Sequence, residues 1–178
     1  MIPALRGDPV TAAQALLGRR LVSTIGGVTV AVRLTEVEAY GGADDPASHA
    51  FSGETARNRT MFGPPGRLYV YRSYGIHWCA NVVCGPVGSP AAVLLRGGIP
   101  VAGSAAMVAR RGRADHLADG PGKLCEALGI TGAEDGVDLA GGRVRLEGRA
   151  APGTVTTSAR IGITRAQERP WRFVWRGA

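Results

Sequence analysis

One strand constrains this chain more than any other feature, because its apolar face runs straight into two carboxylates. Val28, Val30, Val32 and Leu34 alternate with Thr29, Ala31 and Arg33, the period-2 pattern of a half-buried strand. At the same parity the next core-side positions are Glu36, Glu38 and Tyr40. A carboxylate on a buried face is paired or used, because removing the charge from water is costly. Gly41-Gly42 and a polar stretch end the strand, and Ser48-His49 follow. Two readings stand at this point. Either the strand continues regularly and the carboxylates belong to a site, or a bulge at Thr35 turns them to solvent as an ordinary strand end.

The remaining pattern predicts an α+β fold in a single domain spanning 1–178: a mainly antiparallel sheet, a few peripheral helices and a protruding β-hairpin. Asp8-Pro9 reads as an N-cap with proline at the first helical position, opening a helix that stops at Gly18. Residues 20–24 and 28–40 form a hairpin across Ile25-Gly26-Gly27. Residues 41–66 are a long connection, with Met61-Phe62 and a Pro64-Pro65-Gly66 turn that favour order over disorder. Strands follow at 68–72 and 76–83, joined by Ser73-Tyr74-Gly75, which mounts an aromatic at a hairpin tip. Tyr69 and Tyr71 share one face by parity, as do Cys79 and Asn81. A strand at 91–95 ends in Arg96, and a helix is expected over 101–111. Gly120-Pro121-Gly122-Lys123 opens a short helix whose first amides suit a phosphate. Strands are expected at 143–147, 154–164 and 171–175.

Charge narrows the partners. The 178 residues hold 21 Lys+Arg against 14 Asp+Glu, a formal +7, and Lys123 is the only lysine. An arginine-rich basic domain points to a polyanion, nucleic acid before membrane, since no basic amphipathic helix stands out. Three cysteines are too few and too irregular for a disulfide framework. With no signal-peptide core and no membrane-length apolar run, the chain is expected to be cytoplasmic. His49, His77 and His116 are scattered, and Cys79 and Cys84 fall on opposite faces of a strand, so no metal is expected. No nucleophile elbow supports a serine triad, and G-P-G-K lacks Walker spacing.

What remains is one or two part-buried carboxylates, several tyrosines, a histidine and a basic surface. That inventory suits cleavage of a glycosidic bond in nucleic acid. A carboxylate activates water or balances an oxocarbenium-like sugar, rings sandwich a base, arginines hold phosphates, and a tip aromatic enters the stack. The alternative is a non-catalytic nucleic-acid-binding module, which shares the basic surface and aromatic tip but has no use for a carboxylate on the core face.

T-E-V-E-A-Y-x4-D-P-A-S-H, R-N-R-T-M-F-G-P-P-G-x-L-Y-V-Y-x2-Y-G, A-V-L-L-R and G-P-G-K-L-C resemble, in order and over nearly the whole chain, the 3-methyladenine DNA glycosylase family of the alkyladenine (methylpurine) type. The resemblance implies a monofunctional enzyme, a monomer without cofactor. It would flip a damaged purine out of double-stranded DNA and hydrolyse its bond to deoxyribose. It also implies that Glu38 rather than Glu36 activates the water, with Arg96 and the main chain at Ile161 helping to hold it. By the same resemblance Tyr40, His49, Tyr71 and Asn81 line the base pocket, and Asn81 bars guanine's amino group. Tyr74 is the intercalating residue and Lys123 lies near the DNA backbone. Arg57, Arg59 and Met61, within the second motif, are expected on the DNA-binding side. The chain departs from the pattern at Trp78 and Trp175, and in stopping at R-G-A.

Overall fold

The structure is a computed structural model that describes residues 2–177. Asp8 starts the first helix as its chemistry requires: its carboxylate accepts from the amides of Val10 and Thr11 at 3.0 and 2.9 Å, satisfying two donors that have no partner in the helix. From that cap α1 (Pro9–Leu16) buries Ala12, Ala13 and Leu16. The strands are β1 (Arg20–Ser23), β2 (Val30–Tyr40), β3 (Leu68–Ser73), β4 (His77–Cys84), β5 (Ala91–Ala102), β6 (Val144–Glu147), β7 (Gly153–Ser158) and β8 (Arg172–Gly177), with α2 (Ser104–Arg111) and α3 (Pro121–Leu128) between β5 and β6. All pairings between these strands are antiparallel, in the order β3-β4-β5-β2-β1-β6, with β8 joining both β2 and β7. The expected α+β class holds.

β2 is the axis of this sheet. β5 runs along one of its edges, while the other edge is shared: β1 pairs with Val30 to Arg33 and β8 with Glu36 to Glu38. The changeover falls where the ladder is broken. Leu34 pairs with Gly98, Glu36 with Gly97 and Val37 with Leu95, so Thr35 has no partner on β5 and Arg96 none on β2. An unpaired residue on a strand shifts its side-chain parity. Val30, Val32 and Leu34 face the main core before the break, and Val37 and Ala39 face it afterwards.

The expectation that Glu36, Glu38 and Tyr40 continue on the apolar core face is therefore corrected. The bulge at Thr35 does form and turns the glutamates away from that core. It does not turn them to solvent. The second face of the sheet is itself covered, and Glu38 is 0 % exposed.

The same two-sidedness runs through the neighbouring strands. Leu68, Val70, Ala80, Val82, Val93 and Leu95 pack in the core with the helices. Tyr69 and Tyr71 of β3, Cys79 and Asn81 of β4, and Ala92 and Leu94 of β5 look the other way, into a cleft. The long 41–66 connection closes over that cleft and is stapled by Asn58. Its amide nitrogen donates to the carbonyls of His49 and Gly53, both at 2.9 Å, and its oxygen accepts from the Thr55 amide at 2.6 Å. A loop of this length is ordered because its buried polar group is satisfied from within the loop.

The largest differences from the sequence pattern fall at two places. β5 continues to Ala102, so Val101 and Ala102 are strand, and α2 begins only after Gly103 in the left-handed region (φ 72°). The expected strand over 154–164 ends at Ser158, and residues beyond it leave the sheet to cover Glu38. No helix among the described residues is long and apolar enough to cross a membrane.

Gly42 marks where β2 must leave the sheet. A Cβ there would lie 2.4 Å from the Pro90 carbonyl oxygen, and backbone cannot yield as a flexible side chain can. Gly42→Ala is expected to cost about 1–3 kcal/mol, seen as a lower denaturation midpoint in urea with an unchanged slope.

Candidate active site

Glu38 sits behind the floor of the cleft with each carboxylate oxygen engaged. Oε1 accepts from the Ile161 amide at 2.8 Å and Oε2 from the Tyr40 hydroxyl at 2.8 Å, with Arg96 Nη1 3.4 Å from Oε2. The side chain is fully buried, and three donors, one of them a cation, satisfy it. Tyr40, Arg96 and Ile161 all border the cleft, so a small molecule in the cleft meets the carboxylate's own hydrogen-bonding partners. The arrangement follows from the bulge: Glu38 is opposite Leu94 on β5 and Arg172 on β8, while unpaired Arg96 is free to reach across.

Glu36, the other candidate, has a different position. Its Oε1 accepts from Arg96 Nε at 2.9 Å and Arg172 Nε at 2.7 Å. Burial pushes its carboxyl up, but the two guanidiniums outweigh this and hold it below the ordinary value. It does not border the cleft. Glu36 orients Arg96, and Arg96 in turn reaches Glu38.

The cleft has a volume of about 740 Å³, within the range of small-molecule sites. His49, Tyr69 and Tyr71 form one wall. The His49 ring meets Tyr71 edge-on at 4.5 Å, and its Nδ1 shares a 3.1 Å hydrogen bond with the Tyr69 hydroxyl. Burial and the nearby Arg57 cation push His49 below its ordinary value, so the ring is neutral at pH 7. Burial pushes the Tyr69 phenol up to about 12. Burial also raises Tyr40 and Tyr71, Tyr40 with help from the neighbouring Glu38 charge and Tyr71 from Cys79. The His49, Tyr69 and Tyr71 side chains that form this wall are therefore uncharged. Asn81 is buried, donates to the Tyr69 carbonyl at 3.1 Å and borders the cleft with the rest of its amide.

The hairpin tip is built as a mount. Tyr74 (φ 48°) and Gly75 (φ 68°) are both left-handed, and the Ile76 amide donates to the Ser73 carbonyl at 2.9 Å, which is the type I′ turn that suits strand twist. Tyr74 is 90 % exposed. Holding a tyrosine left-handed costs about 1–2 kcal/mol, and such strain persists where another requirement maintains it.

The other expected contact residues separate. Arg57 borders the cleft with its guanidinium 5.4 Å from the Tyr71 ring centre. Arg59 does not border it; it is well exposed and lies 3.4 Å from Glu54. Met61 is 2 % exposed, packed with Ala50, Tyr69 and Ala92, so it lines the cleft wall and is not an outward-facing contact. Lys123 Nζ is 3.0 Å from Asp119 on the first turn of α3, whose neighbour Pro121 reaches the cleft. No three or more His, Cys, Asp or Glu among the described residues converge as a metal site.

Sequence reasoning missed Arg160, Asp45 and Arg172. Arg160 and Asp45 form a fully buried ion pair at 2.6 Å. Their only sequence signal is adjacency: Asp45 opens D-P-A-S-H and Arg160 precedes Ile161.

A buried carboxylate behind a cleft lined by uncharged aromatics and arginines fits an enzyme that acts on a base taken from nucleic acid better than it fits a passive binding face. Comparison with known proteins agrees. The family model for methylpurine-DNA glycosylase (MPG) matches residues 4–178. A Frankia casuarinae protein named "Putative 3-methyladenine DNA glycosylase" is 55 % identical over 182 residues, covering 93 % of this chain and 84 % of the relative. Proteins of the same name from Agrobacterium fabrum and Mycobacterium tuberculosis are 51 % and 50 % identical, covering 96 % and 93 % of this chain and 86 % and 84 % of their own lengths. The chain belongs to the methylpurine-DNA glycosylase family and is a DNA glycosylase, a hydrolase of N-glycosidic bonds.

Tyr74→Asn removes a ring with few neighbours and places at φ 48° a residue that tolerates that conformation. Thermal unfolding of this variant is expected at or slightly above the wild-type temperature, with a gain of no more than about 1 kcal/mol.

Proposed function

We propose that this chain releases 3-methyladenine and related alkylated purines from duplex DNA, with Glu38 as the base that activates water. The observation that carries this reading is the fully buried Glu38 carboxylate, whose partners Tyr40, Arg96 and Ile161 all border a cleft of about 740 Å³. The substrate comes from the relatives named for 3-methyladenine and from the chemistry of the wall. Alkylation at N3 or N7 leaves the purine positively charged, and a neutral His49 with neutral tyrosines adds no positive charge of its own to oppose it.

In the proposed reaction the damaged nucleotide leaves the helical stack and enters the cleft, as in enzymes of this kind. Tyr74 fills the gap it leaves. Glu38 accepts a proton from water as the water oxygen bonds to C1′ of the deoxyribose. The C1′–N bond breaks with its electron pair going to the purine, which leaves as a neutral base, and an abasic site remains. The Glu38 charge also balances the oxocarbenium character that develops at the sugar. The Ile161 amide and Arg96 hold the Glu38 carboxylate in its orientation. A Schiff-base route would need an amine at the sugar, and Lys123, the only lysine, is tied to Asp119 outside the cleft. The position of Lys123 supports a monofunctional enzyme. One copy of the chain carries every group invoked.

Glu38→Gln tests the reading directly, since the amide keeps the shape but cannot take the proton. Purine release from methylated duplex DNA is expected to be abolished while lesion binding is retained. Release near the wild-type rate would remove Glu38 as the base. Tyr74→Asn is expected to weaken lesion-dependent flipping by about one to two decades, from the roughly 1–3 kcal/mol of a base–aromatic stack. Salt-dependent binding to undamaged duplex, which depends on arginine–phosphate contacts, should be unchanged.

A further inference from the structure

Arg160 and Asp45 do not touch the cleft, yet they form a fully buried ion pair directly behind it. Nη1 and Nη2 of Arg160 meet Oδ2 and Oδ1 of Asp45 at 2.6 and 2.9 Å. The same two nitrogens donate to the carbonyls of Ala39 at 3.0 Å and Ala166 at 3.3 Å. The guanidinium also stacks between two rings, 4.7 Å from the Tyr40 centre and 5.3 Å from that of Trp171. Asp45 accepts in addition from the amides of Gly41 at 2.9 Å and Ala47 at 3.3 Å. One ion pair thus ties together the end of β2, the turn leading to His49, and the loop following β7.

Stability alone is a weak reason to retain such a pair. Buried pairs are often no more stabilising than apolar residues of the same size, and Arg160 Nε is buried without any partner. What the pair does supply is position. Ile161, the next residue, is half exposed and sits in a loop outside any strand, so little else holds its amide 2.8 Å from Glu38. Tyr40, whose hydroxyl is the other close donor to Glu38, has its ring face on the guanidinium.

We propose that Arg160 and Asp45 are positioning residues for hydrolysis, holding the Ile161 amide and the Tyr40 hydroxyl on Glu38 so that the carboxylate is aimed at the water. The proposal rests on Glu38 being the base. Lysine at 160 keeps the charge but lacks the planar fork needed to reach Asp45, Ala39 and Ala166 together. Asparagine at 45 keeps the shape and removes the charge.

Arg160→Lys and Asp45→Asn are compared with wild type in single-turnover purine release from methylated duplex DNA, well below each variant's melting temperature, and in affinity for the same duplex. The expected result is a fall in rate of about ten- to a hundredfold, the scale of a small misplacement of a reacting group, with affinity kept within about twofold because binding does not use these residues. A lower melting temperature with an unchanged rate, or rate and affinity falling together, would make the pair merely structural and overturn the proposal. Amide hydrogen exchange on the wild-type protein decides the matter even if neither variant folds. The Ile161 amide is expected to be strongly protected despite its exposed side chain, and exchange as fast as in an unstructured loop would overturn the proposal. Glu38→Gln keeps the two readings separate. If that variant remains active, the base assignment fails; if it is inactive while Arg160→Lys keeps the wild-type rate, only the positioning role fails.

Discussion

The register break at Thr35 and Arg96 is the constraint on which the rest of the site depends. A strand has two faces, and β2 needs both: one to close the helix-backed core, the other to carry chemistry. Without the unpaired Thr35, side chains alternating from Leu34 would drive Glu36 and Glu38 into the apolar core, where a carboxylate has no partners. With it, Val37 and Ala39 take over the core face and the glutamates pass to the cleft side. The opposing unpaired residue on β5 is Arg96, whose guanidinium contacts both carboxylates. A single irregularity therefore places an acid and its counter-ion together.

Electrostatic order follows from that placement. Glu36 accepts two arginines and so fixes Arg96, leaving the fully buried Glu38 to be shared among an amide, a phenol and one arginine nitrogen. The phenols and histidine of the cleft are uncharged because burial raises the phenols and, with Arg57, lowers the histidine, while Arg57, Arg72, Arg96 and Arg165 also line it. Charge is carried by the carboxylates behind the cleft and by the arginines that line it.

Backbone economy is visible at both ends of the cleft. At the tip a tyrosine is kept left-handed and almost fully exposed, a conformation that contributes nothing to packing and is consistent with work done on another molecule. At the base Asn58 satisfies the carbonyls and amides of a long loop from within, so a segment with little regular structure becomes a wall. Met61 shows the same logic in reverse: it lies in a basic motif but is an apolar part of that wall.

The local elements were legible in the sequence because their signals are local: the Asp8-Pro9 start of α1, the alternation of β2, β3 and β4, and the glycine after Tyr74 in the turn. The catalytic motif was legible through its resemblance to a family, and the bulge at Thr35 could be named as an alternative. Which alternative holds depended on β5 and β8, strands distant in the chain, because a bulge is defined by what lies opposite. The same is true of the end of β7, the continuation of β5 into Ala102, and the role of Arg160 and Asp45. Nothing in an isolated arginine or aspartate signals that 115 residues of chain will bring them together with their charges buried. Sequence alone determined the local elements and the carboxylate to be proposed. Only tertiary structure decided which face that carboxylate occupies and what pairs with it, since burial and pairing are properties of neighbours and not of residues.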